Sequence, residues 1–169
     1  EALSQVETYE DVLHEISASV THVEPWSQGT QRLASTAFCL LVKMFNLRLT
    51  RMQLRMMIDV QSLPYFANAS GSTKMCTRQL ALLYVRYGLP ASELWSWMAD
   101  IIQDDSEIHS TSNPYGLAQW AMRLLTELQY HGTTLPRIPV MIDRQIRLKL
   151  LLLNERRTRR RSNMQAPAS

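Results

Sequence analysis

Residues 35–59 read STAFCLLVKMFNLRLTRMQLRMMID. Phe38, Leu41, Val42 and Phe45 recur at i, i+3, i+4 and i+7, the spacing of one helix face. Cys39, Leu40 and Met44 make the other faces apolar too, and Lys43 is the only charge among them. The pattern predicts an α-helix buried on all sides. Thr50, with Gln53 three residues on, is a capping-box pattern that opens a second helix. Leu54, Met57 and Ile58 supply its inner face, and Arg51 and Arg55 its outer one. This predicts a helical hairpin whose first arm is the centre of the domain, with Phe38 and Leu41 in the core.

The chain has 169 residues, enough for one domain with its own core. Its 46% hydrophobic and 20% charged residues suit a water-facing globular chain. No apolar run reaches the roughly 18–20 residues needed to span a bilayer. The N-terminus lacks a basic–apolar–small signal pattern, and it opens on Glu1 instead of Met, as a fragment or processed chain would. Cys39 lies in the apolar helix and reads as a small buried hydrophobe. With Cys76 as its only companion, we expect no disulfide and a reducing compartment.

The net charge of +3 hides an asymmetry. Residues 144–169 hold eight of the 18 Lys/Arg and only Glu155 of the 15 acids, leaving ten bases and fourteen acids in the body. The basic character belongs to the C-terminal segment.

Outward from the hairpin, Thr8 is placed to cap a first helix striped by Tyr9, Val12, Leu13, Ile16 and Val20. Pro25 disfavours helix at the residue before it, and a linker over 27–33 leads into the hairpin. Residues 61–77, with Pro64 and Gly71 among three serines and Asn68, read as an exposed loop. Helix returns over 78–87, and Gly88 suits a left-handed cap. Ser92 could cap the next helix, with Leu94, Trp95, Met98, Ile101 and Ile102 inside. Trp97, two residues from Trp95, cannot share its face and points either to a partner or under a loop of the same domain. Asn113–Pro114 opens a further helix carrying Leu117, Trp120 or Ala121, Leu124 and Leu128 as far as Gly132. Pro136 and Pro139 exclude regular helix between them. Ile142, Ile146 and Leu150 mark a last, basic helix that frays into an arginine-rich tail from residue 154. No segment alternates convincingly as a strand. The expected fold is all-α: one compact multi-helix domain over 1–153 and a basic, disordered tail over 154–169.

Catalytic and metal patterns are missing. His14-Glu15 would need a second histidine at position 18 to resemble a zinc-protease helix, and that residue is Ala18. Four scattered histidines and two cysteines give no zinc spacing. The five glycines never cluster into a phosphate loop. Asp104-Asp105 reads as a solvated loop. We expect no enzyme, no metal and no cofactor.

Thr21-His-Val-Glu-Pro-Trp26, Ser35-Thr-Ala-Phe-Cys-Leu-Leu41, Leu83-Tyr-Val-Arg-Tyr87, Leu94-Trp95-x-Trp97 and Leu135-Pro-Arg-Ile-Pro139 follow one another along the chain after the Thr8-Tyr9 helix start. In these residues the chain resembles the pre-mRNA-splicing factor 38 family and is similar to its B-type branch, over residues 8 to about 147. Two departures mark a divergent member. Only eight residues separate Trp26 from Ser35, where B-type members carry a longer glycine-rich loop, and 66–76 reads as an extra loop after Pro64-Tyr65. The resemblance implies a nuclear, non-enzymatic spliceosome scaffold. It implies binding to helical segments of a microfibrillar-associated-protein-type factor and a zinc-finger splicing factor in the tri-snRNP-containing precatalytic complex, and support of spliceosome activation. We expect a monomer on its own, with no membrane contact.

For the partner surface we expect Arg86, Tyr87 and Trp97, with Leu135, Pro136, Arg137 and Pro139 nearby. Arg, Tyr and Trp are favoured interface anchors, and the two prolines stiffen their segment, which lowers the ordering cost of docking. The competing view has Trp97 and the proline turn closing the core. The acidic face of the first helix is the alternative surface. An RNA-binding reading rests on Arg156, Arg157, Arg159, Arg160 and Arg161, which could pair with phosphates. Against it stand the acidic body and the lack of interleaved aromatics for stacking bases.

Overall fold

The computed structural model describes residues 5–27, 29, 32–104 and 116–164, with the side chains of 161, 163 and 164 left aside. Among the described residues its regular elements are helices apart from one small hairpin, with an isolated bridge before the second helix, and its contacts group into two units, Glu1–Leu89 with Gln129–Leu135 and Pro90–Leu128 with Pro136–Ser169.

Among the described residues the first unit holds four α-helices. α1 runs Tyr9–Ser19 behind the expected Thr8 cap. The Thr8 side chain accepts from the Asp11 amide, and the Asp11 carboxylate accepts from the Thr8 amide at 2.8 Å. The hydrogen bond with the Thr8 side chain, then those from the amides of Glu7 and Thr8, hold the Asp11 carboxyl below its usual range. Val12, Leu13, Ile16 and Val20 are buried as the stripe required. Tyr9 is half-buried and donates to the Gln53 carbonyl at 3.2 Å; burial, then the nearby Glu10 charge, push its pKa up to about 12.

The segment before α2 folds back on itself. The Ser35 amide bonds the Pro25 carbonyl and the Ser27 amide bonds the Leu33 carbonyl, leaving an isolated bridge between Trp26 and Ala34. α2 (Thr36–Leu47) then starts on the Ser35 hydroxyl, and α3 (Arg51–Ile58) on the Thr50–Gln53 capping box. In α3, Leu54 and Met57 are buried while Arg51 and Arg55 face outward, as expected.

α2 is not the fully buried helix its composition predicts. Its inner face is Ala37, Leu40, Leu41 and Met44, while Val42 is 59% exposed and Phe38 and Phe45 are half-buried. The central helix is α4 (Gly71–Gly88), against which α1, α2 and α3 all pack. Every residue from Leu80 to Arg86 is buried. Three neighbours cover more of a helix than periodicity along one chain can reveal. Leu41 remains a core residue at 3% exposure. Leu41→Ala should therefore cost about 2–5 kcal/mol, read as a lower urea midpoint; an unchanged midpoint would contradict the packing.

The loop expected over 61–77, and the extra loop over 66–76 within it, are corrected. Two single-turn 3-10 segments, Val60–Ser62 and Pro64–Phe66, lead directly to α4, whose first turn is capped by the Ser70 hydroxyl accepting from the Thr73 amide at 3.1 Å. Phe66 is fully buried and Cys76 nearly so, which raises the Cys76 thiol pKa. Ser and Gly here start a helix, a role their composition shares with loops. At the other end, Gly88 is the last helical residue, followed by an extended Leu89. Its use is closeness: a Cβ there would lie 2.5 Å from the Phe45 ring, which stacks on Tyr84 at 4.3 Å.

A hairpin, β1 (Gln129–Tyr130) with β2 (Thr133–Thr134), completes this unit. His131 and Gly132 both take positive φ, as a two-residue primed turn requires. Sequence periodicity missed it because strands of two residues show no alternation. The Tyr130 hydroxyl donates to the Val23 carbonyl at 3.1 Å, and its ring stacks beside Phe38.

The second unit holds α5 (Leu94–Gln103), α6 (Leu117–Thr126) and α7 (Val140–Met164). Ser92 does not cap α5; it falls in a 3-10 turn, Ala91–Glu93, that follows Pro90. α5 and α6 pack through Leu94, Met98, Ile101 and Ile102 on one side and Leu117, Ala118, Ala121, Leu124 and Leu125 on the other. Asn113–Pro114 and the acidic residues 105 and 107 lie outside the described residues. α6 ends at Thr126, short of Gly132, and Leu128 is 73% exposed. The fraying expected from residue 154 is also corrected, since α7 stays helical to Met164. Arginine is a good helix former and no Gly or Pro interrupts the run before Pro167.

Candidate protein-binding surface

The expected surface residues divide between the units. Arg86, Tyr87 and Leu135 belong to the first; Trp97, Pro136, Arg137 and Pro139 belong to the second. Within the first, Arg86 sits in the last turn of α4 at 3% exposure, and burial lowers its pKa. The expectation of an exposed Arg86 is therefore corrected. Tyr87 is half-buried, with its hydroxyl 3.1 Å from Thr133 Oγ1 and its ring edge-on to Phe38. Leu135 is buried. These three belong to packing more than to a free surface.

In the second unit the two tryptophans exchange roles. Trp97 is 5% exposed, inside with Leu94, Met98 and Ile101. Trp95, placed inside by the sequence, is half-buried, and Lys149 Nζ stands 5.1 Å from its ring centroid. Such a cation–π pair is worth about 0.5–1 kcal/mol when exposed. Pro136, Arg137 and Pro139 are exposed, while Ile138 between them is buried. The buried Ile138 anchors a turn whose other side chains face solvent.

That turn runs straight into α7, where the Asp143 amide bonds the Pro139 carbonyl. Ile146 and Leu150 are buried as the sequence required. Arg147 pairs with Asp143 at 2.8 Å and also donates to the Thr126 carbonyl at 3.0 Å. Farther on, Arg157 is half-buried and donates to the Ile102 carbonyl, so it is a tether within the unit. Arg156, Arg159 and Arg160 are exposed. Arg161 is helical, but its side chain is outside the description.

One feature of the surface escaped the sequence reading. Met141, Leu148, Leu151 and Leu152 are exposed by 67, 56, 56 and 45%. The seven- and four-residue steps of 141, 148 and 152 were visible in the sequence, but Ile142, Ile146 and Leu150 already accounted for one apolar face. In the Thr21–Trp26 segment, His22 Nδ1 and Trp26 Nε1 are buried without hydrogen-bond partners. Among the described residues, no group of three or more His, Cys, Asp or Glu could hold a metal ion, and no helix is long and apolar enough to cross a membrane.

The family model for PRP38 matches residues 1–147. The chain belongs to the PRP38 family. Pre-mRNA-splicing factor 38B of Homo sapiens is 32% identical over 165 residues, covering 85% of this chain and 28% of that protein. Pre-mRNA splicing factor SR-like 1 of Arabidopsis thaliana is 37% identical over 151 residues, covering 88% of this chain and 36% of that protein. The chain thus spans about a third of the length of the curated relatives it matches. The fold is similar to a chain in the crystal structure of the Snu23-Prp38-MFAP1(217-258) complex of Chaetomium thermophilum, with a TM-score of 0.64. That likeness covers 89% of this chain and 73% of the other at 21% identity.

Proposed function

We propose that this PRP38-family chain is a non-enzymatic, nuclear scaffold of the spliceosome. It would hold helical segments of other splicing proteins in the precatalytic complex and support activation. The observation that carries this reading is the family match over residues 1–147. The partners proposed are of the two kinds named with the similar fold, a Snu23-type protein and an MFAP1 segment. The exposed side chains of Pro136, Arg137 and Pro139 are the part of the expected footprint that solvent reaches. An Arg beside rigid prolines offers a planar donor at little ordering cost.

Tagged chain isolated from nuclear extract should enrich both kinds of partner over an untagged control. Enrichment of neither would overturn the scaffold reading. Arg137→Ala should weaken capture about tenfold, equivalent to roughly 1–2 kcal/mol. Undiminished capture would remove the 136–139 turn from the footprint.

The second reading, RNA contact, is supported by the exposed Arg156, Arg159 and Arg160 on the C-terminal part of α7. Deleting 154–169 should abolish any RNA affinity, and with it the steep salt dependence of a phosphate contact, while leaving protein capture in place.

A further inference from the structure

Ten large hydrophobic side chains are exposed among the described residues, and five of them lie on α7: Val140, Met141, Leu148, Leu151 and Leu152. At about 100° per residue these five fall within an arc of about 120°. The arc is centred opposite Ile146 and Leu150, the residues that bury α7 against its own unit. α7 is therefore apolar on two opposite faces, and only one is covered. Single exposed hydrophobics need no explanation, but a contiguous stripe marks a contact surface. Positions 141, 148 and 152 also keep the seven- and four-residue steps of a coiled-coil seam.

The charges beside the stripe select its occupant. Arg144 lies within the arc, Arg159 continues the same direction beyond its C-terminal end, and Arg156 lies about 40° past its edge. The acids of α7 are only Asp143, already paired with Arg147, and Glu155. A second copy of this chain would set these bases against the same bases. A lipid surface would have to bury Arg144 and Glu155 near the middle of the apolar arc, whereas a helix laid along the stripe can meet both with its own side chains. From this geometry we infer that the outer face of α7 over 140–152 docks an acidic amphipathic helix, with apolar residues on its seam and Glu or Asp on its flanks. The inference rests on the scaffold reading and adds to it the surface and the chemistry of one partner.

The probe is a synthetic heptad peptide with Leu at its seam positions and Glu on its flanks, measured by fluorescence anisotropy against the full chain. A second peptide carries Lys on the flanks. The Glu peptide should bind at least tenfold tighter than the Lys peptide, and the difference should shrink as salt rises. The double variant Leu148→Gln/Leu152→Gln should lose at least tenfold of that binding. Both positions are exposed, so its circular dichroism should match the parent chain. Equal binding of the two peptides, or binding unchanged in the double variant, would overturn the assignment. So would concentration-dependent dimerisation of the parent chain that the double variant abolishes, or binding to phosphatidylserine vesicles that it abolishes. If the double variant still enriches Snu23- and MFAP1-type proteins normally, this surface is wrong while the scaffold reading stands. If the parent chain enriches neither, the scaffold reading itself has failed.

Discussion

Trp97→Ala is expected to lower the stability of the chain by about 3–5 kcal/mol, the usual range for truncating a buried Trp or Phe. The Trp97 side chain is 5% exposed, on α5 beside the buried Leu94, Met98 and Ile101. Its loss would remove the largest side chain of the buried face of α5 and leave a cavity there. Trp95→Ala is the control. That ring is half-buried, and its contact is the Lys149 ammonium, so the change should cost no more than about 1 kcal/mol. Urea unfolding of both variants checks the assignment. Equal losses, or a larger loss for Trp95, would mean that α5 is turned about its axis relative to this structure. The result also bears on binding. Reduced partner capture by Trp97→Ala would report a damaged fold, so Arg137 is the position to test for contact.

A loss of about 3–5 kcal/mol is also expected for Phe66→Ala. Phe66 is fully buried between two elements of the first unit, at the end of the 3-10 turn Pro64–Phe66 and just ahead of the Ser70 cap of α4. Tyr65 beside it is 48% exposed, with its ring 5.2 Å from Phe66, so Tyr65→Ala should cost far less. Replacing all of 66–76 with a Gly-Ser link would remove both this anchor and the first turn of the central helix. Since whole domains are stable by only about 5–15 kcal/mol, that variant should not fold cooperatively. A cooperative unfolding transition at the parent midpoint would show that the segment is a dispensable loop after all.

The two tryptophans show where legibility in the sequence ends. Leu94, Met98, Ile101 and Ile102 define an axis along α5, and Trp95 and Trp97 lie about 75° and 85° to either side of it. Periodicity gives them nearly equal claims to the interior, and only the tertiary packing around α5 decides for Trp97. Phe66 is similar. Two adjacent aromatics, Tyr65 and Phe66, among Pro, Ser, Asn and Gly give no period, so nothing local announces which of them turns inward. The partner surface was less legible still. Arg86 and Tyr87 look like interface anchors by residue type, but burial is a property of neighbours distant in the chain.

By itself the sequence determined the all-α class, the cap at Thr8 and the capping box at Thr50, the inner faces of α1 and α3, and the residues Ile146 and Leu150 that fasten α7. Each of these depends on groups within four residues of one another, through hydrogen bonds to free amides or through side chains stacked on one face. Only the tertiary structure decided that α4 and not α2 is central, that Trp97 is inside, and that α7 keeps a second apolar face open to solvent. These depend on which helices meet, and hydrophobic burial has no direction of its own: an apolar side chain is satisfied by any neighbour that excludes water.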